Sequence, residues 1–260
     1  MAKICVRNFD FNVELHPNKT SKNTLFLHGN MASNTWWQPT LANWKDTGEG
    51  SFIMMEWRGC GKSQTPTTLK EIEIPEMAKD AVAIVKEVSE GPVNIVGHST
   101  GGLIALYAIL QEPELFDKVV LLDSVGAQGI TLQPELLDAM LVMKSDRSMC
   151  SQVMSATING VDVQSDLFQH ILDDAMSVAE VNWKGIPQNL DGIDITAQLQ
   201  KIYQSTLVLH GDEDAILPID DSRFLAESLP NARFQVLKGR GHSTNVEDPE
   251  RFVEILRSFL

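Results

Sequence analysis

The sequence predicts an α/β protein: a mostly parallel central sheet with helices on both faces, and a helical cap inserted before the acid-bearing strand. Three observations predict it. Between residues 24 and 124, short and nearly continuous apolar runs (24–27, 52–55, 93–96 and 119–122) alternate with helical stretches. Strands buried on both faces read that way, and their alternation with helices marks a parallel sheet covered on both sides. The rhythm then breaks, because residues 126–205 read as mostly helical and offer no convincing central strand. A strand at 206–210 resumes it, followed by a helix at 220–229, a strand at 233–236 and a terminal helix. The chain therefore divides into a first core part, 1–125, a helical cap, 126–205, and a second core part, 206–260.

Each element has its own signal. Residues 3–15 (KICVRNFDFNVEL) alternate in part and predict an edge hairpin, ended by His16-Pro17-Asn18. A helix is predicted over 31–44, where Trp36 and Trp37 cannot share one face. One of them then meets the core and the other a site above the sheet, while Trp44 reads as packing. Residues 67–73 are polar linker. Pro75 lies near the start of a helix running to about Ser89, with Met77, Ala81, Ile84, Val85 and Val88 on its apolar stripe. Within the cap, helical segments are predicted at 134–143, 147–157 and 163–181, and Gly126, Gly129 and Gly185 near its ends could permit hinge motion. Asp248 and Pro249 read as N-cap and first residue of the last helix.

Composition bounds the function. The chain has 260 residues, enough for one substantial core, and a formal net charge of -14. That charge argues against nucleic acid and against an anionic membrane surface as partners. No apolar run reaches transmembrane length and the N-terminal stretch MAKICVRNFDF has none of signal-peptide length, so a cytoplasmic protein, monomer or homodimer, is expected. Cys5, Cys60 and Cys150 lie far apart, and no His, Cys or Asp group has metal spacing. No cofactor and no metal are expected. The Gly61-Lys62-Ser63 triplet is not a phosphate-binding loop, since the required glycine five residues earlier is Glu56.

The densest signal is 91–108, GPVNIVGHSTGGLIALYA. A strand runs into Gly97-His98-Ser99-Thr100-Gly101 and straight on into a helix. A serine between two glycines at such a turn is a nucleophile elbow. The glycines remove Cβ atoms that would meet the neighbouring strand and helix, and Ser99 is left standing above the sheet.

With this elbow the chain resembles the α/β-hydrolase family, specifically serine-nucleophile esterase- or lactonase-like members with a helical cap. The resemblance covers about residues 20–125 and 205–260, and the cap in position only. It implies that His28-Gly29-Asn30 is an oxyanion loop, with the backbone N–H groups of Asn30 and Thr100 as donors and His28 as a structural hydrogen-bonder beneath. It implies a triad acid at Asp214, three residues after Gly211 and ahead of Pro218, with Asp212 and Asp123 as alternatives. It implies that His242, in Gly239-Arg240-Gly241-His242, is the base. The chain order Ser99, Asp214, His242 is the one this fold uses. The glycine-rich loop that usually begins with Asp begins here with Glu56.

A hydrolase of small, fairly apolar esters or lactones follows as the expectation. Met31, Trp36, Met140, Met143 and Met154 are candidates for its substrate pocket, because methionine fills irregular apolar space. A carbon–carbon bond hydrolase of the ring-cleavage type is the alternative enzyme, with Arg147 the only arginine in 126–205 to meet a substrate carboxylate. A non-catalytic small-molecule receptor on the same scaffold is the alternative from a different class.

Overall fold

The computed structural model describes residues 2–18, 22–45 and 50–260. Eight strands form one sheet: β1 (Ala2–Val6), β2 (Phe9–His16), β3 (Asn23–Leu27), β4 (Ser51–Met55), β5 (Val93–His98), β6 (Phe116–Leu122), β7 (Ser205–Gly211) and β8 (Ala232–Leu237). Their order is β1-β2-β4-β3-β5-β6-β7-β8. The pairs β1/β2 and β2/β4 are antiparallel, and every pair from β4 to β8 is parallel. Arg7 and Asn8, at φ 53° and 59°, make the tight turn of the edge hairpin.

The sheet faces follow from the two-residue period of a strand. Phe26, Phe52, Met54, Val96, Val120, Leu122, Leu207 and Leu209 point to one face. There they meet Trp37, Leu41 and Trp44 of the segment containing α1 (Gln38–Lys45), and Phe252 and Leu256 of α10 (Pro249–Phe259). Their neighbours Leu25, Leu27, Ile53, Ile95, Val119, Leu121 and Val208 point the other way. That face packs on α2 (Ile74–Val88), α3 (Thr100–Gln111) and α8 (Ile219–Ser228). The expected α/β fold with helices on both faces is the observed one.

Between β6 and β7 lie α4 (Pro134–Ser145), α5 (Arg147–Ala156), α6 (Asp166–Ser177) and α7 (Glu180–Leu190). Buried Met140, Met143, Met154, Phe168, Ile171 and Trp183 from these helices join the same apolar cluster as the sheet. The insertion is also tied down by polar contacts. Ser33 Oγ and Thr35 Oγ both donate to Asp174 Oδ2 at 2.5 Å, and Asn182 Nδ2 donates to Arg58 O at 2.7 Å.

Three helix expectations are corrected. The helix expected from Met31 starts at Gln38. Met31 has φ 53°, and a 3₁₀ turn over Asn34–Trp37, capped by Ser33, intervenes. The segment expected at 163–181 is two helices. It breaks at Val178 and Ala179, where the Ala179 N–H donates to Gly59 O of the core at 2.8 Å instead of continuing a helix. Gly185 lies inside α7 rather than at a hinge. A Cβ there would strike Ile72 Cδ1 and Leu69 Cδ2, so the glycine serves close packing.

The last helix starts as expected, with the Asp248 side chain accepting the Arg251 N–H and Pro249 in the first turn. The short helix α9 (Thr244–Glu247) precedes it. Glu56 is buried and accepts from Asn12 Nδ2 at 2.8 Å and Lys62 N–H at 2.7 Å, which closes the glycine-rich loop around it. Among the described residues no helix is long and apolar enough to cross a membrane.

Candidate active site

The chain leaves β3 for β4 on one side and returns to β5 on the other, so β3 and β5 flank a topological switch point. A crevice opens at the carboxyl ends of the strands in such a place. His28-Gly29-Asn30 leaves β3 there, and Ser99 follows β5.

Ser99 has φ 54° and ψ −123°, a strained conformation for a residue with a Cβ. Its surroundings over-determine it. The Ser99 N–H donates to Leu122 O at 3.0 Å, and its carbonyl accepts from Gly102 and Val125 N–H at 3.0 Å each. The flanking glycines are required sterically. A Cβ on Gly97 would lie 2.5 Å from Gly101 O, and one on Gly101 would strike the Leu27 and His28 carbonyls.

The loop after β3 is set by His28. Its Nδ1 lies 2.8 Å from Gly29 O, and its Nε2 accepts the Trp57 N–H at 3.3 Å. The ring is therefore neutral with the proton on Nδ1, and burial lowers its pKa to about 4. Holding the Gly29 carbonyl on the buried side turns the Asn30 N–H the opposite way, because the peptide is trans. Among the described residues neither the Asn30 nor the Thr100 N–H has a protein acceptor. The Asn30 side chain accepts the Met31 N–H at 2.9 Å.

The acid and histidine loops leave β7 and β8. His242 Nδ1 is 2.7 Å from Asp214 Oδ2. Asp214 Oδ1 accepts the N–H groups of Ile216 at 2.7 Å and Leu217 at 3.1 Å. Burial alone would raise the Asp214 carboxyl. The hydrogen bond and charge of His242, with those two amides, outweigh it and hold the carboxyl below its usual range. Nδ1 of His242 thus carries a proton toward a carboxylate, and Nε2 of the neutral ring is left as an acceptor. The His242 carbonyl meets His98 Nε2 at 2.8 Å. Burial first, and His242 beside it, push His98 down to about 3, so His98 stays neutral.

Neither alternative acid makes this contact. Asp212 accepts from Lys238 Nζ at 3.0 Å and Gly239 N–H at 2.7 Å, facing the turn after β8. Asp123 is wholly buried and accepts the Gly211 N–H at 2.8 Å. Sequence spacing gives no hint of one further grouping. Asp123, His210 and Asp214 each place a polar atom within 4.8 Å of the others. Both Asp214 oxygens are already engaged by protein donors, which leaves the trio short of a metal-binding set.

A cavity of about 240 Å³ connects these parts. Ser99, His242, His98 and Asn30 border its base. The five candidate pocket residues, Met31, Trp36, Met140, Met143 and Met154, line its walls, together with Ala32, Val153, Thr157 and Ile216, which the sequence reading did not single out. Val153 and Ile216 were recoverable signals, as the neighbour of Met154 and the second residue after Asp214. Trp37 turns to the opposite face of the sheet, so the two tryptophans part as their spacing requires. Among the described residues no Asp, Glu, Lys or Arg side chain borders the cavity. Arg147 points elsewhere, pairing with Asp173 at 2.6 Å and Gln169 at 3.0 Å.

The profile of the alpha/beta hydrolase family matches residues 24–255. The chain belongs to this family. Among the relatives of this alpha/beta hydrolase is pyrrolizixenacetamide deacetylase of Xenorhabdus hominickii, 25% identical over 224 residues, which cover 82% of each chain. Another is 2-hydroxymuconate semialdehyde hydrolase of Pseudomonas putida, 27% identical over 238 residues, covering 82% of this chain and 81% of that one. The solved structure of an esterase from Exiguobacterium antarcticum superposes with a TM-score of 0.88 at 23% identity, over 98% of this hydrolase and 97% of that chain. These relatives are hydrolases, and the eight-stranded sheet with its flanking helices is their shared fold.

Proposed function

We propose that this hydrolase cleaves small, uncharged, fairly apolar carboxylic esters or lactones through an acyl-enzyme on Ser99. The observation that carries the reading is one cavity. Ser99 and the Asp214-bound His242 border it, and its remaining walls are mostly apolar, with no Asp, Glu, Lys or Arg among the described residues that line it. A serine hydroxyl is a weak nucleophile until a base removes its proton. In this reading His242 Nε2 takes that proton, and Asp214 fixes the tautomer and stabilises the imidazolium. The Asn30 and Thr100 N–H groups hold the oxyanion, each donor contributing about 3 kcal/mol to barrier lowering. His242 then protonates the leaving group, and water releases the acyl chain. No metal or cofactor is needed for these steps, and the partner is the small-molecule substrate alone.

The relative that hydrolyses 2-hydroxymuconate semialdehyde favours a second reading, carbon–carbon bond hydrolysis. Against it, the described residues that line the cavity include no Lys or Arg for a substrate carboxylate, and Arg147 pairs with Asp173. A panel of activated esters of increasing acyl length, simple and acyl-homoserine lactones, amides and vinylogous 1,5-diketone acids separates the two. The expected ranking by kcat/KM puts neutral esters or lactones first. Diketone acids ahead by about 100-fold, roughly 2.7 kcal/mol in the transition state, would replace the ester reading with carbon–carbon cleavage. A fluorophosphonate probe should label Ser99, and Ser99→Ala should lose both labelling and turnover. A wild-type protein that never labels, yet binds a small apolar ligand, is the receptor outcome.

A further inference from the structure

Beneath the acid arm lies a pair of side chains that the proposed reaction leaves unused. Asp123 follows β6 and His210 lies near the end of β7, and the parallel pairing of these strands brings them together under Asp214. Both are sealed from solvent, at 0% and 1% exposure. His210 Nδ1 is 2.8 Å from Ser222 Oγ, and His210 Nε2 is 3.6 Å from Asp214 Oδ2. Asp123 Oδ1 accepts the Gly211 N–H at 2.8 Å, and Gly211 O in turn accepts the Asp214 N–H at 3.2 Å. Among the described residues, His210 Nε2 and Asp123 Oδ2 are buried without a hydrogen-bond partner. Buried polar atoms are ordinarily paired, so two orphans on neighbouring residues, whose Nδ1 and Oδ1 lie 3.6 Å apart, call for a reason. Asp123 also has φ 42°, a left-handed conformation that a non-glycine residue adopts at a cost.

We propose that Asp123 and His210 are positioning residues, a buried polar seat under Asp214 that fixes the direction of its carboxylate toward His242. The inference deepens the proposed function and rests on it. Asp214 Oδ1 is held by two loop amides, but Oδ2, the atom that meets His242, has no second direct donor. His210 Nε2 approaches that oxygen from the buried side. The 2.8 Å contact of Nδ1 with Ser222 Oγ fits either tautomer, and the seat requires the one in which the hydroxyl donates and the His210 proton sits on Nε2, its dipole toward Oδ2. Asp123 acts through the backbone, anchoring the Gly211 peptide from which the turn carrying Asp214 is hung.

The charges agree with this division. Burial, then the Asp214 charge and more weakly Glu247, push the Asp123 carboxyl well above its usual range. Burial lowers His210 first, against the opposing pull of the Asp214 charge; His242 adds to the lowering, and the Leu217 backbone and Asp221 oppose it. Both shifts run toward the neutral forms of the seat, and they favour the negative charge of the group on Asp214. A second buried carboxylate beside it would compete for the imidazolium and for the proton.

The test is to compare His210→Ala, His210→Gln, Asp123→Ala and Asp123→Asn with wild type on one activated ester. It follows kcat and KM separately, and the pH profile of kcat/KM. A parallel readout, the proton on His242 Nδ1 by NMR of histidine-¹⁵N protein, needs no turnover. The two alanine variants should lower kcat by about tenfold or more with KM within about threefold, and should shift or broaden the Nδ1 proton. Asp123→Asn and His210→Gln should recover most of both, because an amide restores a polar contact without charge. Folded alanine variants with wild-type kcat and an unmoved proton signal overturn the proposal. So does an Asp123→Asn variant as impaired as Asp214→Asn with a displaced pH midpoint, which would make Asp123 a charged acid. A wild-type protein without turnover would sink the ester reading alone, and the proton signal would still decide the seat.

Discussion

The chemistry proposed for this chain depends on a few residues held in costly conformations, and single substitutions test them directly. Gly101 is the clearest. A methyl group there meets two carbonyl oxygens of the β3 end, and backbone cannot swing aside as a side chain can. Gly101→Ala should destabilise the fold by about 2–3 kcal/mol, the upper range for overpacking. It should lower Tm by roughly 5 °C or more for a chain of this size. Equal Tm values in a thermal melt would show that the elbow is looser than its contacts imply. The carboxylates give a second comparison. Asp214→Asn should reduce kcat/KM for an activated ester by about 10³-fold or more, because the amide favours the wrong His242 tautomer. Asp212→Asn, whose partner is Lys238 on the surface, should stay within about threefold. A reversal of that order would move the acid.

At the scale of elements, the inserted helices α4 and α5 bring Met140, Met143, Val153 and Met154 to the cavity. Truncating Met154, which is 2% exposed, enlarges the space beside Ser99. Met154→Ala should cost about 2–5 kcal/mol of stability. It should also raise the ratio of kcat/KM for long over short acyl esters, by at most about 1–3 kcal/mol per added methylene. A ratio unchanged across the acyl series would remove Met154 from the acyl pocket. The elements themselves were unequally legible. The central strands stand out in the sequence because both of their faces are buried and their apolar runs are continuous. The elbow was readable because glycines flank its serine at a strand end where backbone crowding excludes a Cβ, and the His28, Asp214 and His242 loops were readable through the family resemblance, each placed after a strand end. The helix α7 was hidden by Gly185 and Pro187, residues that argue against a helix interior. The break between α6 and α7 was invisible for another reason. It is made by a carbonyl of Gly59, far away in the chain, and so were the contacts of Asp123 with Gly211 and of His98 with His242.

For the whole molecule, buried histidines set the response to acid. His28 and His98 are neutral in the fold, with pKa values lowered by burial to about 4 and about 3 from an ordinary 6.5. The unfolded chain therefore binds more protons than the native one between those limits. Their contribution to stability is complete above about pH 6.5 and is lost as the pH falls toward 4 and then 3. From neutral pH to pH 5 the urea midpoint of His98→Gln should gain on that of wild type, because the raised carboxyls of Asp123, Glu56 and Asp80, which act with the opposite sign, are common to both proteins. Parallel curves for the two proteins would mean that His98 does not carry the effect.

The proposed machinery is also dispersed along the chain in a way that has a practical corollary. The oxyanion loop and the nucleophile, Asn30 and Ser99, belong to the first half, while Asp214 and His242 belong to the second. Between them, in the link from α5 to α6, Gly160 is exposed at φ 69°, and a Cβ there would meet nothing within 4 Å. A chain divided at that point yields one fragment with the nucleophile and oxyanion donors and another with the acid and base. Neither has a complete catalytic set, and only their reassembly across the β6/β7 strand pair restores it. Fused to two interacting proteins, the halves would form a conditional enzyme, silent apart and reporting their meeting by the colour of a released phenol.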